Sequence, residues 1–148
     1  MRWLRLLISG WIVMPFFLTY VGLALVPASY WHDKGTMFVP DEQSDQPIEL
    51  RWQGGAKREF RGVYTVVARS IDTNRLVCEA RGGPITYRPD ATRPDPLTLD
   101  WWAPSDPRCS DLPLGAFVLE TCWTVKAPFG GVVPDKTHCL ASNPFRVK

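Results

Sequence analysis

From residue 32 onward prolines and glycines recur along most of the chain, sparing 63–81 and 116–127, and this punctuation limits what it can fold into more than any motif does. Proline removes a backbone donor and glycine loosens the chain, so long helices are excluded where both recur. The 14 prolines and 11 glycines are spread rather than clustered, and most of the segments between them are short. Several are rich in Val, Trp, Tyr and Phe, which suits strands. Pro47 to Gln53 sets Ile48, Leu50 and Trp52 against Glu49, Arg51 and Gln53, the alternation of a half-buried strand. Glu59 to Ile71 and Arg75 to Arg81 are expected to pair across the turn Asp72, Thr73, Asn74. Gly82, Gly83 and Pro84 are expected to end the second of these, leaving a short strand at Ile85 to Arg88. Leu97 to Trp102 reads as a strand, Pro104 to Pro113 as a loop, and Leu114 to Val125 and Thr137 to Val147 as the closing pair.

This is an all-β layout of roughly seven short strands with frequent turns. It resembles, in architecture, an immunoglobulin-like or fibronectin-like two-sheet sandwich, without the antibody arrangement of cysteine, tryptophan and cysteine on facing strands. Folding the last two strands about the Gly130–Gly131 bond places residue i opposite residue j where the two numbers sum to 261, as 122 and 139 do. Cys122 and Cys139 then face each other within disulfide reach, which leaves Cys78 to pair with Cys109. Every gap between cysteines exceeds ten residues, unlike the short spacings of zinc sites, so no metal and no cofactor is expected.

The first thirty residues are of another kind. Leu6 to Trp31 is a run of 26 residues without a charged side chain, behind Arg2 and Arg5 and ahead of His32, Asp33 and Lys34. About 20 apolar residues suffice to cross a bilayer as a helix. Trp3, Trp11, Tyr30 and Trp31 lie near the ends of the run, where amphipathic rings favour the interface. The expectation is therefore residues 1–31 as a transmembrane anchor, 32–46 as an acidic linker and 47–148 as the β domain. The two arginines keep the N-terminus cytosolic and send the rest to the periplasmic or extracellular side. The alternative is a signal peptide cleaved near Ala28, since Val26, Pro27, Ala28 and Ser29 offer small residues. Both export the domain, where disulfides persist.

Of the 17 basic residues only Arg2 and Arg5 precede Asp33, and all 15 acidic residues lie at or beyond it, so the exported part is neutral. This argues against a general grip on nucleic acid. Arg58, Arg61, Arg69, Arg75, Arg81, Arg88 and Arg93 form a basic set suited to a carboxylate or phosphate polymer, or simply to a solvated face. His32 is expected at the membrane boundary and His138 on a strand facing Trp123. Asp106 and Asp111 flank Cys109 and read as turn caps, with calcium as the lesser alternative. Trp101 and Trp102 are the more informative pair: neighbours on a strand point to opposite faces and cannot both enter one core, so either one lies on an outer face or sheet edge, or both are covered, one by each side of a strand buried beneath loops. An exposed tryptophan there is the binding candidate. The expectation is a non-enzymatic binding or structural module that meets a protein partner in the envelope as part of a larger assembly. The alternative is a small hydrolase or glycan-processing enzyme using Asp100, Asp106, Asp111 or Glu120.

Overall fold

A computed structural model describes residues 2–126, 131 and 133–148, with the side chains of the first helix described at Trp11 and from Val13 onward. The protein is mostly β, in two packed sheets of three and five strands, with two disulfides. Helix α1 (Arg2–Leu25) comes first. It stops short of the Trp31 boundary expected from the uncharged run, because Pro27 disfavours helical backbone at the residue before it. The chain continues through a turn of 3-10 helix at Ala28–Tyr30. Among the described residues no helix is long and apolar enough to cross a membrane, so the spanning helix expected over 6–31 is not shown by the structure.

The smaller sheet has the order β1 (His32–Phe38), β2 (Glu49–Ala56), β5 (Leu97–Thr98). Residues 32–38, which read as linker, are thus a strand paired antiparallel to β2. The polar run hides its alternation because the register shifts between Asp33 and Thr36. Gly35 sits in that shift with φ +60°, and a Cβ there would lie 1.6 Å from the Gln53 carbonyl oxygen, so only glycine fits.

The larger sheet has the order β4 (Leu76–Tyr87), β3 (Phe60–Ser70), β6 (Gly115–Val125), β7 (Lys136–Ala141), with β8 (Phe145–Val147) also on β6. Gly82, Gly83 and Pro84 do not end β4 as expected. They are absorbed as a bulge against Gly62–Tyr64, so the strand continues to Tyr87. The single closing strand expected at Thr137 to Val147 is two: β7 pairs with residues 120–125 of β6 and β8 with residues 115–117. Between them the Ser142 amide donates to the Leu119 carbonyl and the Ser142 hydroxyl accepts from the Leu119 amide, which keeps the ladder satisfied through the break. The register pairs Cys122 with Cys139 and Trp123 with His138, as the sum of 261 requires. The turn about Gly130–Gly131 that motivated this sum lies partly outside the described residues.

The core joins Leu50 and Leu97 of the smaller sheet to Val66, Leu119, Phe117 and Phe145 of the larger. Along one side the sheets are stitched together by side chains. The Asn143 amide accepts from the Val39 amide and donates to its carbonyl, both at 2.8 Å, taking the place of a neighbouring strand. Farther on, Glu42 exchanges backbone bonds with Arg146 and Lys148. Near the other end β1 packs against β7, where His32 meets His138.

Candidate functional site: an aromatic cleft between the sheets

On the opposite side a cleft of about 460 Å³ opens between the end of β2, Tyr64 of β3, the end of β4 and the loop that follows β4. Alternation puts Trp52 of β2 and Trp123 of β6 on inward positions of facing sheets. Their rings stack at 5.4 Å with 18° between planes. Trp102 closes the set edge-on to Trp52 at 5.1 Å. Both indole donors are used: Trp52 Nε1 donates to the Lys34 carbonyl at 2.7 Å, and Trp102 Nε1 to the Thr121 hydroxyl at 2.9 Å. These three rings pack against one another as a floor, with the Trp52 and Trp102 indoles also held by hydrogen bonds.

The expected strand at Leu97 to Trp102 is only two residues of β5, followed by the short helix α2 (Leu99–Trp102). Trp101 and Trp102 therefore diverge by the rotation of a helical turn, not by strand alternation. Trp102 is 7% exposed and lies in the core, whereas Trp101 is 48% exposed and lines the cleft. The far wall comes from Tyr64, Ile85 and Tyr87. Tyr64 lies flat across β4 because position 82 is glycine; a Cβ there would meet its ring at 2.2 Å. Burial raises the phenol pKa of both Tyr64 and Tyr87, and the Tyr87 hydroxyl is buried without a hydrogen-bond partner among the described residues. Arg93 completes the rim: its guanidinium stands 4.7 Å over the Trp52 ring and donates to the Gly54 carbonyl at 2.8 Å. Of the seven arginines of the basic set, Arg88 and Arg93 reach the cleft.

Behind the floor lies a histidine pair. His32 is fully buried, not set at an interface, and its Nδ1 is 2.8 Å from His138 Nε2. Trp123, Trp52, Phe60 and Tyr87 surround its ring at 4.6–6.2 Å. Burial first, and then the neighbouring His138 charge, lower the His32 pKa to about 4; Lys57 adds to this and Asp33 opposes it. His138 is lowered too, by burial and then Lys34, again against Asp33.

The carboxylates do not assemble. None lines the cleft among the described residues. Asp100 and Asp111 are exposed, and Glu120 is half-buried beside the Cys122–Cys139 disulfide. That disulfide and Glu120 bring three potential ligand atoms together, but the two sulfurs are bonded to each other. Asp106 is structural: it caps the turn Pro107–Cys109, pairs with Arg108 at 2.8 Å and accepts from the Glu79 amide of β4 at 3.0 Å. The Arg108 hydrogen bond, then that amide, hold its carboxyl well below the usual range. The second disulfide, Cys78–Cys109, fastens the same turn to β4.

The sequence marks Trp101 and Trp102, and places Arg88 and Arg93 in a basic set, but does not mark Trp52, Trp123 or Tyr64. Their inward alternation marks them as core; only the pairing of distant strands shows that the core is open on one side. Comparison with known proteins finds no matching family model, no similar curated protein and no similar solved structure.

Proposed function

We propose that this protein is a non-enzymatic binding module, anchored by its N-terminal helix on the extracytoplasmic side of a membrane and working as part of a larger envelope assembly. The two-sheet body serves as a rigid scaffold in the broad manner of immunoglobulin-like domains, and the aromatic cleft is the seat for the ligand. The observation that carries this reading is Trp101: a half-exposed indole beside a floor of three fixed tryptophan rings. Leaving such a ring in water is unfavourable, and anchors of this kind dominate binding energy where a partner covers them. The mutual packing of Trp52, Trp102 and Trp123 shapes the cleft before a ligand arrives. Export is supported by the two disulfides, which persist in oxidising compartments. Anchoring is supported by the exposed apolar side chains of α1, among them Trp11, Phe16 and Phe17. The test is Trp101→Ala in the full chain, followed by chemical crosslinking in intact envelopes. The substitution is expected to abolish specific adducts while the melting temperature stays within a few degrees; unchanged adducts would refute the cleft as the seat.

A further inference from the structure

We infer that the cleft takes an acidic saccharide, a pyranose ring carrying a carboxylate; this rests on the cleft being the binding seat. Three features point to it. The first is charge. The charged groups lining the cleft are Arg88 and Arg93, with no acid among the described residues. Arg88 is partly neutralised by Glu59 at 3.4 Å, while Arg93 has no carboxylate partner among the described residues. One uncompensated guanidinium at the rim of an apolar cleft matches one carboxylate, which the planar fork can meet with two parallel hydrogen bonds. Arg93 is held in place for this by the Trp52 ring and the Gly54 carbonyl, and only one of its five N–H groups is used there.

The second feature is the kind of apolar surface. The exposed Trp101 indole offers a flat ring face rather than a branched aliphatic socket, while the faces of Trp52 behind it are covered by Arg93 and Trp123. The face of an aromatic ring is electron-rich, and the C–H groups on one side of a pyranose are its natural complement. Thr86 and Thr92 add hydroxyls at the wall, suited to ring hydroxyls.

The third feature argues against an extended peptide. A peptide would add to the free edge of β4, the outer strand of its sheet. Part of that edge is taken: the Glu79 amide donates to Asp106 and the Arg81 amide to the Ser105 hydroxyl. Pro84 then removes a further donor just before the cleft wall.

The experiment is a titration of the full chain in detergent micelles, read by tryptophan fluorescence and calorimetry. The probes are trisaccharides of galacturonate, mannuronate and glucuronate, each beside its methyl ester, with an acidic octapeptide as the comparison. At least one acid trisaccharide is expected to bind, and its ester about tenfold more weakly, the loss set by a charge-assisted hydrogen bond. Arg93→Gln should lower affinity for the acid to that of the ester and leave the ester unchanged, with Arg93→Lys in between. Trp101→Ala should weaken acid and ester alike. Equal binding of acid and ester would overturn carboxylate recognition, and binding of the peptide alone would overturn the saccharide. If no probe binds but Trp101→Ala still loses its envelope adducts, the ligand class is wrong and the cleft reading survives. If neither happens, both fall.

Discussion

His32 shows how far a residue's environment can depart from what its neighbours imply. In sequence it stands beside Trp31, Asp33 and Lys34 and looks like a boundary histidine, yet it is wholly buried against a partner 106 positions away. No local pattern encodes that contact. In the neutral pair one ring donates to the other, and His32 Nε2 lies buried with no partner among the described residues, so a second proton there would be stranded. Both histidines bind protons less readily in the fold than in the unfolded chain. Their stabilisation is therefore complete above about pH 6.5 and falls away in acid, that of His32 being lost as the pH falls through about 4. A shift of that size on His32 corresponds to about 3 kcal/mol. Thermal melts between pH 7.5 and 4.5 should show this loss, and His32→Phe should flatten the slope while lowering stability at neutral pH. The carboxyls of Asp41 and Asp106 are held below their ordinary 3.8, so their contributions fade only under stronger acid and do not mimic the effect. A melting temperature flat across that range would rule out the histidine pair as a protonation-sensitive contact.

Among the elements, legibility followed the regularity of the pattern. β2, β3 and β6 alternate cleanly and lie close to where the sequence puts them, and the register sum pairs Cys122 with Cys139. β1 escapes because a glycine bulge breaks its period, and α2 because a single helical turn carries no periodicity to detect. The least legible element is the join between the sheets, since the Asn143 side chain and the backbone of Glu42 make it without any periodic pattern. Asn143→Ala leaves the amide and carbonyl of the fully buried Val39 without partners, at a cost of about 3 kcal/mol, measurable by urea denaturation. Asn143→Asp should rescue little, because it keeps the acceptor for the amide but sets an oxygen against the carbonyl. If the alanine variant were as stable as the parent, the join would lie elsewhere. The disulfides make a second element-scale prediction. They close loops of 17 and 31 residues, so replacing Cys122 and Cys139 by serine should cost about 3 kcal/mol, and replacing Cys78 and Cys109 slightly more. The second pair should also loosen the turn at Asp106, exposing the Glu79 amide to faster hydrogen exchange; unaltered exchange there would separate the disulfide from the edge it is placed to guard.

For the molecule as a whole, the fate of α1 turns on how the chain enters the domain. Beyond Leu25 the backbone does not hang free. Ala28 is buried with Phe60 and Val125, and the Trp31 carbonyl accepts from the amides of Lys57 and Arg58 at 2.7 and 3.2 Å. Arg58 lies over the Tyr30 ring at 4.4 Å, and Lys136 donates to the Ala24 carbonyl at the end of the helix. Cleavage before Ser29 would remove Ala28 from that cluster and leave a charged amine beside its vacated place. Contacts that bind the candidate cleavage segment into the fold favour its retention. The described side chains of α1 add to this, since Trp11 is 81% and Phe16 73% exposed and rings so placed require a covering that the domain does not provide. Protein extracted from membranes is therefore expected to retain the residues before Ser29 and both disulfides, and to resist an alkaline wash. A chain beginning at Ser29 and released by the wash would make the protein a free exported domain, and the cleft would then meet its ligand away from the membrane surface.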